Sequence, residues 1–291
     1  MDKSRLASQL AIIGLAACTS LSAKEITTQD INQEECAPLL WMHKSQKMIE
    51  KWSQNEDVYF GISLDIACIK RKLPDGSFEY FLSRTIENIQ EDIDVLNSDF
   101  KEANIQFIVK RIYLTITEIP YEKNNTIAHE AINAATKDSL IAQILGHPVK
   151  ENGSLNHVDV YYRFDIGLGK DGLAEVHGAP NGCIWICGPT NLKQTLSHEM
   201  GHHFGLLHTF DANDDYVEDT PKGPSSPTQY GTDEDKNRMN IMSYSGDLNR
   251  GFTKGQIERM QRFACAWLSE ETVEKTDKPV NIKLSIQNTL K

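Results

Sequence analysis

Residues 197–210 read Ser-His-Glu-Met-Gly-His-His-Phe-Gly-Leu-Leu-His-Thr-Phe, placing three imidazoles and one carboxylate at spacings that suit a single zinc ion. His198 and His202 are four apart, so on a helix both rings leave the same face and can bind one metal. Glu199 lies one step round. There its carboxylate reaches a water on the metal without competing for the metal itself, as a general base requires. A straight helix would carry His208 onto the wrong bearing, so the chain must leave the helix after His202. Gly205 is the residue type that turns left-handed there at least steric cost. Two histidines on a helix and a third beyond a glycine turn leave one tetrahedral position for water, the arrangement of a catalytic zinc rather than a structural one. His203 points about 100° away from His202 and is not assigned as a ligand.

The elements that must position these residues follow from periodicity. Leu192, Leu196 and Met200 form a four-residue apolar stripe that would pack the back of the helix on a core. Cys183–Cys187 reads as a short buried strand leading through Gly188 and Pro189 into that helix. Upstream, Val58–Ile69 reads as a strand ending at the turn Pro74-Asp75-Gly76. Ile86, Ile89, Ile93, Leu96 and Phe100 mark residues 84–100 as an amphipathic helix. Ile105–Ile116 reads as the next strand, Thr126–Leu145 as a second helix or lid, and Val158–Ile166 as a third strand. Strand, helix, strand with long connections implies parallel pairing. Downstream, Pro224–Asp235 is a surface loop. Thr253 and Gln256 form a capping box for a last helix with Ile257, Met260, Ala264 and Trp267 facing inward.

A five-position pattern of this kind arises by chance in about 1 in 10,000 chains of this length, which disfavours a mere run of surface histidines. His198, Glu199, His202, Gly205 and His208 match the metzincin zinc peptidases, and Asn240-Ile241-Met242-Ser243-Tyr244 resembles their Met-turn. Within that clan the chain most resembles the pappalysin-like group and its bacterial cytophagalysin relatives. The runs His208–Phe210, Asp215–Pro221 and Gly251–Gln256 carry the likeness, and Ile93–Phe100 adds to it. It spans roughly residues 56–268.

The resemblance implies an α/β (α+β) metzincin-type domain: a twisted, mostly parallel sheet, an active-site helix, and an irregular C-terminal subdomain with the Met-turn. It implies an edge strand in Gly172–Ala179, along which an extended protein or peptide substrate would pair main chain to main chain. It implies that Met242 packs beneath the metal. Tyr244 matches a tyrosine that contacts the resting zinc and swings out to hydrogen-bond the reacting carbonyl, stabilising the oxyanion. The plain alternative is a hydrogen-bonded core tyrosine. Asp247 falls where relatives line the primed-side pocket and would favour Arg or Lys after the scissile bond, unless Leu248 occupies the floor.

The segment Asp211–Asp219 holds five carboxylates in nine residues. Such a loop is either simply solvated or a calcium site, since hard oxygens on irregular backbone suit calcium and relatives bind it nearby. Asp215, Asp219 and Thr220 are the candidate calcium ligands.

At the N-terminus, Lys3 and Arg5 precede an apolar run too short to span a bilayer, so residues 1–18 read as a bacterial export signal. Leu15-Ala16-Ala17-Cys18 resembles a lipobox, which would lipidate Cys18 and anchor the protein, with outer-membrane sorting favoured by Thr19. Cleavage after Ala23 by an ordinary signal peptidase is the alternative. Residues 19–55 are a short pro-segment or N-terminal strap, residues 56–268 the catalytic domain, and residues 269–291 a charged tail. Cys36 is either a latency ligand to zinc or a disulfide partner. Of six cysteines, Cys18 is used by the lipid or removed, and Cys36, Cys68, Cys183, Cys187 and Cys265 remain. In extended chain Cys183 and Cys187 sit about 13 Å apart, beyond the ~7 Å a disulfide tolerates. Pappalysin relatives carry cysteines around the Met-turn; this chain has none between Cys187 and Cys265, so its disulfide framework departs from theirs.

A formal charge of −11 and the absence of a basic patch oppose nucleic-acid binding. Together the residues point to an exported zinc endopeptidase. Two other classes share the residues: a non-catalytic zinc-stabilised lipoprotein for binding or adhesion, and a zinc amidase acting on cell-wall material.

Overall fold

The alternation Val58, Phe60, Ile62, Leu64, Ile66, Cys68 makes residues 58–72 the central strand in the computed structural model, which describes residues 46–119, 157–164, 166, 170–174, 183–210, 215–220, 239–244, 250–267 and 280–290. This strand, β1 (Val58–Lys72), buries those six side chains on one face. At its far end β2 (Phe78–Leu82) pairs antiparallel with Cys68–Lys72. β3 (Ile105–Ile119) runs parallel along one side of β1, and β4 (His157–Arg163) runs parallel along the other at Gly61–Ile66. β6 (Cys183–Cys187) extends the parallel set beyond β4, and β5 (Gly172–Ala174) closes that side antiparallel to β6. The result is a mixed α+β fold on a mostly parallel six-stranded sheet.

The pairing of β3 with β1 slips by one residue at Ile62/Ser63, where Lys110 is the extra residue. Ile105, Phe107 and Val109 face the main core before the slip, and Ile112 and Leu114 after it. A bulge changes which parity of residue faces inward, and here it keeps a strand with broken alternation apolar on its core face.

Among the described residues five α-helices accompany the sheet: α1 (Gln46–Ser53), α2 (Ile86–Asp99), α3 (Thr195–His203), α4 (Lys254–Trp267) and α5 (Ile282–Thr289). Thr85 caps α2 by accepting from Asn88 N, and Ile89, Ile93 and Leu96 are buried as the spacing predicts. The capping box of α4 is formed in both directions, Gln256 N donating to Thr253 Oγ1 and Thr253 N to Gln256 Oε1.

Three expectations need correction. Leu192 is 44% exposed and precedes α3, which begins only at Thr195, so the stripe on the helix is Leu196 and Met200. The fold extends beyond residues 56–268 at both ends. Met48 of α1 is fully buried, and Trp52 donates to Asn104 O. Residues 269–291 are more than a tail, since Ile282 and Ile286, one turn apart on α5, enter the main core and Val280 N donates to Val109 O. A single pair of isoleucines among polar residues is too short a pattern to read as periodic.

The export signal, Cys18, Cys36, the helix expected at Thr126–Leu145, the Pro224–Asp235 loop, Asp247 and Leu248 lie outside the described residues, as does the edge-strand segment after Ala174. Cys68 and Cys265 are buried free thiols. Among the described residues no helix is long and apolar enough to cross a membrane.

Candidate metal centre and cleft

The connection into α3 is pinned before the helix starts. Arg84 grips both oxygens of Asp92, from Nε at 2.9 Å and Nη2 at 2.7 Å, while its Nη1 donates to Gly188 O at 2.9 Å and Thr190 O at 2.6 Å. Tyr162 OH also donates to Asp92. Burial pushes the Asp92 carboxyl above its usual range, although the guanidinium opposes it. Gly188 admits no side chain, because a Cβ there would stand 1.8 Å from Ser83 O.

All nine residues of α3 are buried. The helix ends in a Schellman turn: Leu206 N donates to Gly201 O, Gly205 N donates to His202 O, and Gly205 sits at φ +83°. A Cβ at Gly205 would also meet the Phe263 ring at 2.4 Å. Phe204, just before the turn, packs against Phe60, Phe100 and Phe107 with ring centroids 5.2, 5.8 and 6.0 Å away. The exit of the helix is thereby fixed against the core.

That turn brings His208 back to His198 and His202. His198 Nδ1 lies 2.7 Å from Ile241 O, and His202 Nδ1 lies 2.8 Å from Leu206 O. A carbonyl oxygen only accepts, so both Nδ1 atoms carry the proton and both Nε2 atoms present lone pairs. These Nε2 atoms stand 3.2 and 3.0 Å from Nε2 of His208. Two lone pairs aimed at a third imidazole nitrogen at this distance are the arrangement that one shared cation satisfies. A tetrahedral zinc with Zn–N of about 2.0–2.1 Å sets its nitrogens about 3.3 Å apart, so the donor set fits zinc. Burial, then the neighbouring His202, lowers the His198 pKa to about 3. Burial and the other two rings hold His208 well below the usual range. Both are therefore in the neutral form that ligates. Among the described residues these three histidines are the only cluster of three or more side chains suited to a metal ion. His203 is separate, buried against the Phe204 ring.

Glu199 lies between α3 and the edge strand. Its carboxylate accepts the Ala174 backbone N–H, and burial raises its pKa to about 8 against the pull of Lys170 and that N–H. Gly172 makes room for it, since a Cβ there would come within 2.5 Å of Glu199 Oε1.

The Asn240–Tyr244 turn passes under and beside the histidines. Met242 is fully buried, and its sulfur lies so close to α3 that a Cβ at Gly201 would meet it at 2.5 Å. Met242 N donates to Asn240 Oδ1, Asn240 Nδ2 donates to Gln256 Oε1, and Thr209 N donates to Met242 O. Tyr244 is 53% exposed, its ring 4.7 Å from His208 and 5.7 Å from His198. Phe210 stacks on His208 at 4.7 Å and touches Tyr244 at the same distance. Tyr244 therefore lies on the exposed side of the histidines rather than in the core.

Two of the residues singled out for calcium, Asp215 and Thr220, bond to each other, and the third, Asp219, reaches the start of α4. Asp215 Oδ1 accepts from Thr220 Oγ1 and Val217 N. Asp219 accepts from Thr253 Oγ1 at 2.6 Å and Gly255 N at 2.9 Å, tying its loop to the start of α4. Although burial raises its pKa, those hydrogen bonds outweigh it and hold the Asp219 carboxyl below the usual range.

Sequence reasoning missed the carbonyls of Ile241 and Leu206, because main-chain acceptors leave no trace in residue identity. It also missed Phe210 as a wall of the site, although Phe210 stands two residues after His208.

The family model described as Peptidase M43, Pregnancy-associated plasma protein-A, matches residues 141–264. An extracellular metalloprotease of Pyricularia oryzae is 28% identical over 200 residues, 59% of this chain and 65% of its own, so the chain spans just under two thirds of that relative. The crystal structure of metalloproteinase-II from Bacteroides fragilis is 14% identical with a TM-score of 0.38, covering 71% of this chain and 53% of that one. An extracellular metalloprotease of Sordaria macrospora is 40% identical over 237 residues, 72% of this chain and 74% of its own. On that identity, and on a family match that takes in the three histidines, the chain belongs to the pappalysin-like metalloprotease family.

Proposed function

We propose that this chain is an exported zinc endopeptidase of the metzincin clan. The observation that carries the reading is the convergence of three Nε2 atoms, two of them with lone pairs fixed by backbone carbonyls, beside a buried carboxylate that is not one of the ligands. His198, His202 and His208 would hold the ion. When bound, zinc polarises the scissile carbonyl and makes water more acidic.

Glu199 takes the proton of the attacking water and delivers it to the leaving amine. Its raised pKa suits a group that must both accept and return a proton near neutrality. Tyr244 offers its phenol to the oxyanion from the exposed side of the triad. An extended peptide would pair with the free edge of β5, which has a partner strand only in β6 among the described residues. That edge lies against Glu199, so peptide binding and proton transfer are adjacent. Asp247 is proposed to favour Arg or Lys just after the scissile bond.

Export is supported by the names of the relatives, which are extracellular enzymes. The lipid anchor rests on Leu15-Ala16-Ala17-Cys18 alone. The intact mass of the mature protein tests it, and an N-terminus at Lys24 without lipid mass overturns it. A calcium ion on the Asp211–Asp219 loop, with Asp215, Asp219 and Thr220 as its ligands, is proposed from the loop's carboxylates alone.

The test of the main reading is a mixed peptide library incubated with zinc-loaded protein and read by mass spectrometry. Endoproteolytic products that disappear with a chelator are expected. A protein that retains zinc yet cleaves no peptide would be the zinc-stabilised binding lipoprotein, and one that cleaves only cell-wall fragments would be the amidase.

A further inference from the structure

A chain of partly buried polar contacts runs from the end of α2 to the peptide unit that carries Tyr244. Asp99, the last residue of α2, accepts from Gln194 Nε2 with both oxygens, at 2.9 and 3.1 Å. Gln194 is the residue immediately before α3 and is 6% exposed. Its Oε1 accepts from Arg250 Nε at 3.0 Å, and its Nε2 also donates to Arg250 O at 3.2 Å. Arg250 Nη1 then donates to Ser243 O at 2.8 Å. The Ser243 carbonyl belongs to the peptide bond joining Ser243 to Tyr244.

We propose that Arg250 is a positioning residue: by holding the Ser243–Tyr244 peptide against Gln194 and Asp99, it fixes the Tyr244 ring over His208. The proposal rests on the endopeptidase reading for the role of Tyr244. The phenol oxygen stands about 6.5 Å from its Cα, so a rotation of about 10° moves it about 1 Å, a misplacement that costs on the order of 100-fold in rate. Half-exposed as it is, Tyr244 needs something other than burial to hold its backbone. No cysteine lies between Cys187 and Cys265 to tie this loop by a disulfide. A guanidinium suits the task because its planar fork reaches two acceptors in different directions, whereas a lysine ammonium would be one point on a flexible stem. The other end of the chain is firm, since Gln194 and Asp99 belong to the segments that start α3 and end α2.

The test compares Arg250→Lys and Arg250→Ala with wild type, each alone and combined with Tyr244→Phe. Zinc content, Tm, kcat and KM are measured, together with the ring-to-ring nuclear Overhauser contact between Tyr244 and Phe210 in protein labelled at Tyr and Phe. Arg250→Lys is expected to keep zinc and fold, to lose that ring contact, and to lower kcat about 10- to 100-fold with KM within about twofold. In the Tyr244→Phe background the same change should cost less than about twofold, because the group it positions is already gone. Should Arg250→Ala fail to fold, Arg250→Lys decides. A retained ring contact, or equal losses in both backgrounds, overturns the proposal while leaving the endopeptidase reading standing. A wild type without peptide cleavage would overturn that reading instead, and the ring contact would still judge the clamp.

Discussion

Arg84 and Asp92 are 6% and 4% exposed, and His198, His202 and Glu199 are 8%, 6% and 7% exposed. The two clusters are equally deep and are built in opposite ways. In the first, opposite charges meet on two hydrogen bonds, the other guanidinium donor goes to carbonyls, and Tyr162 adds a donor to the carboxylate. In the second, like meets like. Two fixed lone pairs point toward a third imidazole, and a carboxylate with no cation bonded to it stands alongside. A closed cluster of charges can hold a fold together, whereas an open one repels itself until a cation enters. The difference teaches where the fold is held and where the chemistry is held ready. Three features keep the open cluster in place: the carbonyls of Ile241 and Leu206, the turn at Gly205, and the aromatic packing of Phe204.

The largest effect is expected at a metal ligand. His202→Ala should lose stoichiometric zinc and reduce peptide cleavage to background, measured by elemental analysis beside the library assay. Retained zinc with retained activity would remove His202 from the donor set. Glu199→Ala tests the remaining half of the open cluster. It should keep zinc while turnover falls about 100- to 10,000-fold, as expected of a general base that is not a ligand.

The closed cluster should respond in the other currency. Asp92→Ala strands the Arg84 charge in the interior and should destabilise the fold by about 3–5 kcal/mol in urea titration. Activity per folded molecule should stay near wild type, because the hydrogen bonds of Arg84 and Asp92 go to each other, Gly188, Thr190 and Tyr162 rather than to the histidines or Glu199. A specific loss of kcat in the folded fraction would erase the distinction between the clusters.

The smallest effect belongs to Asp219, which is exposed and bonded to Thr253 and Gly255. Its pKa is lowered on folding, so its contribution is present above the ordinary value of 3.8 and is lost as pH falls through the folded value. Asp219→Asn should therefore melt slightly below wild type at pH 6, with the gap closing on acidification below that value. A calcium ion held by Asp219 should raise the melting temperature of the wild type and not that of Asp219→Asn. No rise in the wild type would remove the calcium site from the loop.

Much of the site was legible because its signals are local. The four-residue step from His198 to His202 belongs to the helical repeat, and Gly205 declares a left-handed turn by its lack of a side chain. The capping box at Thr253 and Gln256 and the strand at Cys183–Cys187 are local patterns of the same kind. The start of α3 was misplaced because Leu192 satisfies the apolar period without being helical. The bulge at Lys110 and the docking of α5 were not legible, because each depends on a partner far along the chain.

By itself the sequence determined which atoms could bind a metal and which could move a proton, since donor type and helical spacing are properties of a few neighbouring residues. Only the tertiary structure decided how those atoms are aimed. The tautomers of His198 and His202 depend on carbonyls 43 and 4 residues away. The space for Glu199 depends on a glycine in β5, and the place of Tyr244 on an arginine bonded to the residue just before α3. Apart from the Leu206 carbonyl, which lies in the turn ending the same helix, orientation is set by contacts between distant segments. Those contacts involve backbone groups common to every residue, so no local pattern of side chains announces them.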